Sequence, residues 1–396
     1  MNSERTVNLF QIAALDDPYP AYTELREASP LHHGDDGMWY VTRYDDIQRL
    51  LRDRRLVAGT GVASSFGLSE GPVYQAMTSW LMAIDGVAHA RTRRLVSSAF
   101  GPKAVQAMRP DISAIVDTAV DAMAASAGNG GSAEFVSTVA FTVPVQVMRL
   151  LFGIDEEEWH QAVTPGFTAG GDPIVMMESL LEYLSSLVGR RRGQPGSDMF
   201  SAMVSAGEGD DRLGDAELTA NGLLLITAGF ETTMSLIGNA MVTVFSRPAV
   251  VERLQRDGGL VPDAVEEVLR YETPALTTSR TATEKIAVGG GHIPAGADVL
   301  FALAGGNRDP RRYAEPDEFD IQRTDVHPLS FGGGGHACLG AGLARLETEL
   351  VLTGVLQRYP ELEVDIAGLV WRKDNPTIRG PAVLTVWPNG VNGKRP

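Results

Sequence analysis

The sequence predicts a mainly α-helical protein with minor β-structure, and two observations lead to this prediction. Apolar residues recur at helical spacing along most of the chain, whereas strand-like alternation is confined to the short segments 38–44, 298–304 and 382–387. The segment 216–246 would form one helix of about 46 Å, which is long enough to cross a whole domain. We therefore expect a single large domain over residues 1–390, followed by a flexible tail at 391–396.

The shorter helices follow from the same periodicity. In chain order they are predicted at 18–28, 45–53, 89–100, a long stretch near 103–126, 140–154 and 176–193. Segments rich in glycine and polar residues separate them, and those at 58–72 and 127–133 are predicted to be loops.

The long segment 216–246 is apolar on nearly all faces, so we expect a buried helix with Asp215 as its N-cap. Its middle breaks the pattern, because Gly229 is followed by the polar run Glu231-Thr232-Thr233. Either the glycine allows close helix packing while the threonines bond back to carbonyls, or the helix opens locally where a ligand and water approach.

Composition limits the partners that the chain can have. It has 396 residues and a formal net charge of −16, which argues against nucleic acid or an anionic membrane because both attract basic surfaces. A single cysteine excludes an internal disulfide and any iron–sulfur or zinc site built from several cysteines. The N-terminal residues contain no apolar run of signal-peptide length, and no stretch reaches the about 18–20 apolar residues that span a bilayer, so we expect a cytoplasmic protein.

That single cysteine lies in a glycine-rich loop, SFGGGGHACLGAGLARLE at 330–347, directly before a helical pattern. A nucleotide cradle fits this loop poorly, because Arg345 replaces the third glycine of a dinucleotide fingerprint and no Gly-Lys-Ser/Thr follows. A thiolate at Cys338 would gain from the helix N-terminus, and the glycines would let the backbone approach a large flat ligand. A haem needs only one protein ligand, whereas structural zinc needs four. The alternative is a buried, inert cysteine.

The loop closely resembles the haem-ligand loop of the cytochrome P450 family. Phe331, Gly332, Gly334, His336, Cys338 and Gly340 fall at the family's spacing, followed by Ala344-Arg345-x-Glu347. Other segments resemble the family in the same order along essentially the whole chain: 17–30, His89-x-x-x-Arg93, Ala228–Thr233, Glu267-x-x-Arg270, Arg280, Asn307–Pro310 with Phe319, Asp320 and Arg323, and 377–387. The chain departs from the family pattern in two places, with Gly86-Val87 in place of Pro-Pro and Glu231 in place of the common Asp.

The resemblance implies a cytochrome P450 fold that encloses haem b with Cys338 as the ligand of the iron. It implies that the haem propionates are held by His89, Arg93, Arg280 and His336. Glu231 and Thr232 are the implied catalytic pair, with Thr232 holding water or dioxygen by a hydrogen bond and Glu231 passing protons. Glu267, Arg270 and Arg323 are expected to form a structural ion network. The positions expected to face substrate are Leu224, Thr227, Ala228, Ala275, Leu276, Thr277 and Ile378.

The function expected from this resemblance is oxygenation of a moderately large, apolar small molecule by dioxygen, most simply hydroxylation or epoxidation in secondary metabolism. Electrons would come from NAD(P)H through a separate reductase and a ferredoxin, and the basic run at 91–94 is a candidate docking patch for an acidic donor. The substrate would be free or tethered to a carrier protein. Alternatives are oxidative ring closure or aryl coupling on the same haem, use of peroxide in place of dioxygen, and a haem sensor without turnover.

Overall fold

A computed structural model describes residues 8–59, 67–128, 131–162, 172–207, 209 and 211–390 of the chain. The predicted tail at 391–396 lies outside the described residues, as does part of the loop predicted at 58–72. The α-helices are α1 Leu9–Ala13, α2 Tyr19–Ala28, α3 Tyr44–Leu50, α4 Pro72–Thr78, α5 Gly86–Ser97, α6 Pro102–Ala107, α7 Arg109–Ala127, α8 Thr142–Phe152, α9 Glu156–Ala162, α10 Pro173–Gly193, α11 Met199–Val204, α12 Asp215–Phe245, α13 Pro248–Arg256, α14 Val261–Tyr271, α15 Leu303–Asn307 and α16 Ala341–Arg358.

Within the described parts of the chain, the strands are short and form four small sheets. They are β1 Leu31–His33, β2 Trp39–Val41, β3 Leu56–Val57, β4 Ala133–Glu134, β5 Thr277–Ala282, β6 Ile286–Val288, β7 Gly291–Ile293, β8 Asp298–Ala302, β9 Glu363–Val364, β10 Val370–Trp371, β11 Pro381–Val383 and β12 Thr385–Trp387. The largest sheet has the order β1-β2-β8-β5-β3, in which only the β2–β8 pair is parallel. Its centre is the β5–β8 pair, which runs in register from Thr277 opposite Ala302 to Thr281 opposite Asp298.

The chain divides into two compact units, each assembled from separate stretches. The larger unit comprises Met1–Val57, Asp111–Val143 and Thr232–Pro396, and it contains all of the sheets. The smaller unit comprises Ala58–Pro110 and Pro144–Glu231 and is helical in its described residues. The boundary along the chain therefore falls inside α12, directly after Glu231.

The core of the larger unit lies on both sides of its main sheet. One buried cluster joins α3 to β5 and β8 through residues such as Ile47, Leu50 and Phe301. The other packs α1 and α2 against the sheet through Leu9, Tyr22 and Leu300. In the smaller unit, Phe152 stacks on Phe200, with ring centroids 4.7 Å apart, and Leu184 and Phe200 close over Gly222 of α12.

Helix α12 starts at Asp215, one residue before the predicted start, so Asp215 is not its N-cap. The carbonyl of Gly214 accepts the first helical hydrogen bond, and the Glu217 carboxylate reaches back to accept from the backbone N–H of Gly214 at 2.8 Å. This is the carboxylate half of a capping box, and it leaves Asp215 free of the capping role, so that its side chain accepts from Arg192 at 2.7 Å instead.

Two predicted elements are divided in the structure. The helix predicted near 103–126 is two helices, α6 and α7, because Pro110 follows directly on the break and proline is tolerated only in the first turn of a helix. The strand predicted at 298–304 ends at Ala302, and Leu303 opens α15. The close packing of α15 depends on two glycines. An added Cβ on Gly305 would press against Tyr22, and one on Gly306 would press against Leu329 and Ile47.

Among the described residues, one helix is long and apolar enough to cross a membrane by length and composition, namely α12. In its most apolar window of 18 residues, 61% of the residues are buried inside the protein. The buried core helix of a protein passes the same test of length and composition as a membrane span. The burial of α12 agrees with the burial predicted for it from the sequence.

Candidate active site

The cysteine loop is a tightly turned segment that ends at the N-terminus of α16. Two short 3₁₀ turns, Leu329–Phe331 and Gly334–His336, precede Cys338, and the backbone N–H of Cys338 donates to the carbonyl of Phe331 at 2.9 Å. Gly340 is the N-cap of α16, so Cys338 lies two residues before the N-cap. The side chain of Cys338 is exposed rather than buried in the core, which is the opposite of what an inert structural cysteine shows.

Glycines give this loop its shape for two different reasons. Gly332 and Gly334 have φ of +65° and +67°, in the left-handed region, and a Cβ on Gly334 would collide with the carbonyl oxygen of Leu51. Gly340 and Gly342 instead border open space, because no described atom beyond the adjoining chain lies within 4 Å of an added Cβ. No group of three or more His, Cys, Asp or Glu side chains suited to a metal ion occurs among the described residues. An exposed single thiol beside open space suits a metal that brings its other ligands with it, as haem iron does.

Asn307 and Ser330 hold the start of the cysteine loop, and this role was not predicted from the sequence. The Asn307 side chain accepts from the backbone N–H of Leu329 at 2.7 Å and donates to the Ser330 hydroxyl at 3.1 Å. Both side chains also donate to the carbonyl of Leu269 at the end of α14. The loop that presents Cys338 is therefore fixed to α14 by buried hydrogen bonds.

The three residues expected to form an ion network lie together in the larger unit. The Arg270 guanidinium donates two hydrogen bonds to the Glu267 carboxylate, at 2.8 and 2.7 Å, and Arg323 approaches the same carboxylate at 3.3 Å. Glu267 and Arg270 are 1% and 0% exposed, so the pair is fully desolvated. Arg270 also donates to the carbonyls of Asn307, Pro316 and Glu318, which satisfies its remaining N–H groups.

The neighbouring Glu266 has a separate partner. It forms an ion pair with Arg345 of α16, whose guanidinium stacks 4.5 Å above the ring of Phe331. Arg345, the residue that does not match the dinucleotide fingerprint, thus connects α16 to α14.

Helix α16 also contains a buried carboxyl, Glu347, which is the last residue of the sequence motif. It is 1% exposed, its Oε2 has no hydrogen-bond partner among the described residues, and burial raises its pKa from 4.5 to about 8. The folded protein therefore keeps a proton on Glu347 that the unfolded chain releases above pH 4.5.

A pH dependence of stability follows from this retained proton. Between pH 4.5 and about 8 the unfolded chain binds fewer protons than the folded one, so the free energy of unfolding falls as the pH rises through that window. We expect Glu347→Gln to remove this fall and to be more stable than the parent at about pH 8, by on the order of a few kcal/mol. Urea unfolding of both proteins across the window measures it, and parallel pH profiles would contradict the prediction.

The middle of α12 is the exception in a buried helix. Ala228 is exposed and Thr227, Gly229–Thr232 are partly exposed, whereas the helix is buried on either side of this stretch. The helix continues through it without a break, so local opening of the helix is not observed. Gly229 faces Met148, whose thioether lies 3.0 Å from an added Cβ, and Thr227 bonds back to the carbonyl of Leu223 at 2.9 Å.

The positions expected to face substrate fall into two groups. Ala275 and Ile378 are brought together as an antiparallel β-bridge, and both are partly exposed. Leu276 is only 1% exposed and belongs to the buried cluster of α1, α2 and the sheet, so it is placed in the core. Leu224 and Thr277 are also buried, at 8% and 7% exposure.

The four expected propionate partners are divided between the two units. His89 and Arg93 lie one turn apart on α5 of the smaller unit, where His89 is 8% exposed. Arg280 on β5 and His336 in the cysteine loop belong to the larger unit, and both are partly exposed. The arginines that flank Arg93 are engaged within the smaller unit: Arg91 pairs with Glu217 at 2.8 Å and Arg94 with Asp211 at 2.6 Å. Such pairing argues against the docking patch expected there.

The chain is similar in sequence to a known protein family and to several of its members. A profile described as cytochrome P450 matches residues 259–380. The chain is 37% identical to cytochrome P450 monooxygenase PikC of Streptomyces venezuelae, over 96% of this chain and 93% of that protein. It is 34% identical to 6-deoxyerythronolide B hydroxylase of Saccharopolyspora erythraea, over 90% of this chain and 93% of that protein.

Solved structures agree with the sequence matches. The ligand-free P450 monooxygenase TamI superposes with a TM-score of 0.87 at 31% identity, covering 98% of this chain and 95% of that one. P450BioI, in complex with hexadec-9Z-enoic acid ligated acyl carrier protein, gives 0.83 at 29% identity, covering 96% and 99%. The predicted fold is thereby confirmed. With full-length relatives that are monooxygenases and hydroxylases, and with a matching cysteine loop, the chain belongs to the cytochrome P450 family and is an oxygenase enzyme.

Proposed function

We propose that the protein is a haem-thiolate monooxygenase that hydroxylates or epoxidises a moderately large, apolar small molecule, in secondary metabolism. The observation that carries this proposal is the exposed thiol of Cys338, held in a rigid glycine loop at the N-terminus of α16 beside open space. Family membership implies a haem iron with a cysteine thiolate ligand, and Cys338 is the sole cysteine of the chain.

The helix that follows Cys338 supports a thiolate at that position. The unsatisfied N–H groups and the positive end of the helix dipole of α16 favour a negative charge at Cys338, two residues before the N-cap. His89, Arg93, Arg280 and His336 are the proposed partners of the two propionates, since cationic or hydrogen-bonding groups are what buried carboxylates need. When bound, the haem supplies dioxygen activation and the oxidising power of the reaction.

The chain's own part in the chemistry is proton delivery, which we assign to Glu231 and Thr232. Both lie on the partly exposed stretch of α12, so water can reach them, whereas Thr233 is buried. A threonine hydroxyl can donate and accept at once, so Thr232 can hold a water molecule or dioxygen in place, and the Glu231 carboxylate can carry protons to it.

The proposed electron donor is a ferredoxin, reduced by NAD(P)H through a separate reductase. An exposed arginine beside the cysteine loop supports a small acidic partner: the Cα of Arg52 lies 3.2 Å from an added Cβ on Gly334, and Arg54, two residues further along the chain, is also exposed. In a chain of net charge −16, local arginines next to the thiol loop would steer an acidic donor to it. We propose a cytoplasmic location, with no membrane or nucleic acid as partner.

Two relatives suggest what the substrate resembles. One is named as a hydroxylase of 6-deoxyerythronolide B, and another was crystallised with a fatty acyl chain on its acyl carrier protein. We propose a substrate of this size and apolar character, either free or carrier-tethered, that contacts the partly exposed Ala275 and Ile378 and the exposed stretch of α12.

A binding and turnover experiment tests the proposal. The haem-loaded protein is titrated with 6-deoxyerythronolide B, with hexadec-9Z-enoic acid, and with the same acyl chain on a carrier protein, while the visible spectrum is followed. We expect a saturable spectral shift with 6-deoxyerythronolide B or with the carrier-bound chain, and oxygenated product only when reduced ferredoxin and dioxygen are supplied. Product formed equally well with peroxide alone would favour the peroxide-using alternative, and no shift with any probe would reject the proposed substrate class.

A further inference from the structure

Asn239 of α12 is a fully buried side chain that makes two hydrogen bonds to distant parts of the larger unit. Its side-chain N–H₂ donates to the carbonyl of Glu272 at 3.0 Å and to the carbonyl of Arg379 at 2.9 Å. It is 0% exposed, so both bonds are shielded from water. The two carbonyls belong to segments that lie more than a hundred residues apart in the sequence.

Those two segments are the ones that carry Ala275 and Ile378. Backbone hydrogen bonds join them on either side of the bridge, from Leu276 N–H to the carbonyl of Thr377 at 2.9 Å and from Arg379 N–H to the carbonyl of Pro274 at 2.8 Å. Leu276 and Arg379 are buried, whereas Ala275 and Ile378 are partly exposed. One side of the bridge therefore lies in the core, and the other side, which carries Ala275 and Ile378, is accessible.

The segment after Ile378 is pressed onto α12 around Asn239. Gly380 lies against Ser235, with an added Cβ only 2.6 Å from its hydroxyl, and Gly238 lies against the ring of Pro381. A side chain at either glycine would push the segment away from the helix. The Arg379 guanidinium adds a bond to the Glu272 carboxylate at 2.6 Å, which joins the same two segments a second time.

The chemistry of the contact requires an asparagine. Two backbone carbonyls converge on one buried point, and a short neutral side chain with two N–H donors satisfies both. A serine side chain has one donor and leucine has none. The carboxylate oxygens of an aspartate would face the two carbonyl oxygens, and none of these atoms can donate a hydrogen bond. The two carbonyls also fix which way the amide is oriented.

We propose that Asn239 is a positioning residue for ligand selectivity: it sets the spacing between the 272–277 and 377–381 segments, and so the separation of Ala275 and Ile378. The proposal rests on the proposed function for the statement that these two side chains contact the ligand. Asn239 acts on the ligand only through these segments.

The first test reads the segments directly and needs no ligand. In Asn239→Ser and Asn239→Leu, amide hydrogen exchange at Leu276 and Arg379 is expected to accelerate by about fivefold or more, the factor that the loss of one ordinary hydrogen bond produces, with β8 unchanged. Asn221 is the matched control, since it is 1% exposed on the same helix and accepts from the backbone N–H of Leu81 at 2.8 Å. Asn221→Ser is expected to accelerate exchange at Leu81 and to leave Leu276 and Arg379 as they were. Unchanged exchange at Leu276 and Arg379 in both Asn239 variants would overturn the proposal.

The second test asks whether the spacing matters to a ligand. Imidazole and 4-phenylimidazole are titrated into the haem-loaded proteins, because both bind the iron but only the second reaches the surrounding side chains. We expect the ratio of their Kd values to change by about fivefold or more in Asn239→Ser, with imidazole itself unchanged within about twofold. Thr243→Val, one turn further along α12, is expected to keep the parent ratio. An unaltered ratio in both Asn239 variants would overturn the role in selectivity. Failure of the proposed function gives a different result. The spectrum of the parent protein would then lack the signature of thiolate-ligated haem, while hydrogen exchange would still show whether Asn239 holds the two segments together.

Discussion

Glu267→Ala is expected to yield a chain that is insoluble or free of haem. The substitution leaves Arg270, which is 0% exposed, as a buried charge without its carboxylate, and it also removes the partner of Arg323 and of the Asp320 N–H. Removing one member of a buried ion pair costs about 3–5 kcal/mol. That is a large part of the about 5–15 kcal/mol by which domains are stable, and the network adjoins the segment that anchors the cysteine loop.

The matched control is the adjacent residue. Glu266 pairs with Arg345 at side-chain exposures of 29% and 36%, so Glu266→Ala is expected to cost no more than about 1 kcal/mol and to bind haem normally. The ratio of haem to protein after purification and the urea midpoint measure both variants. Normal haem content in Glu267→Ala would show that the network is not structural.

Thr232→Ala is expected to bind ligands as the parent does but to release peroxide in place of product. The hydroxyl that we propose to hold water or dioxygen is lost, while the fold is little affected because Thr232 is partly exposed. Positioned proton donors contribute about 10²–10⁴-fold, and water entering in place of the hydroxyl recovers part of this, so product per dioxygen consumed should fall about tenfold or more. The measurement is peroxide and product formed per dioxygen consumed, with reduced ferredoxin and the probe that shifts the spectrum.

Two further variants separate chemistry from packing at this position. Thr232→Ser keeps the hydroxyl and is expected to recover most of the coupling. Thr233→Val alters the adjacent threonine, which is 4% exposed, and is expected to leave the coupling of the parent unchanged. Equal product per dioxygen in Thr232→Ala and the parent would show that Thr232 has no part in proton delivery.

The sequence was informative where the signal is local. The helix spacing of Glu267 and Arg270 predicts that they can pair, and the order of residues around Cys338 predicts a thiol presented before a helix. The mainly α-helical class likewise follows from short-range periodicity, whereas the cytochrome P450 fold was expected from the resemblance of the motifs. The predictions that were wrong concern where elements end. The predicted helix near 103–126 is divided just before Pro110, and the predicted strand at 298–304 ends before Leu303, which starts a helix.

Contacts between distant segments could not be predicted. Asn239 looks like one polar residue in an apolar helix until the structure shows which two carbonyls face it. The same holds for Asn307, which supports the cysteine loop, and for Arg345, which pairs with Glu266 across two helices. Each depends on a partner tens of residues away, and no spacing rule identifies such a partner.

The visible spectrum of the reduced protein with carbon monoxide tests the central claim most directly, because it reports the ligand on the haem iron. We predict the band of a thiolate-ligated haem for the parent chain, and its loss in Cys338→Ser. A band typical of a histidine-ligated haem in the parent, or a thiolate band that persists in Cys338→Ser, would contradict the assignment of Cys338.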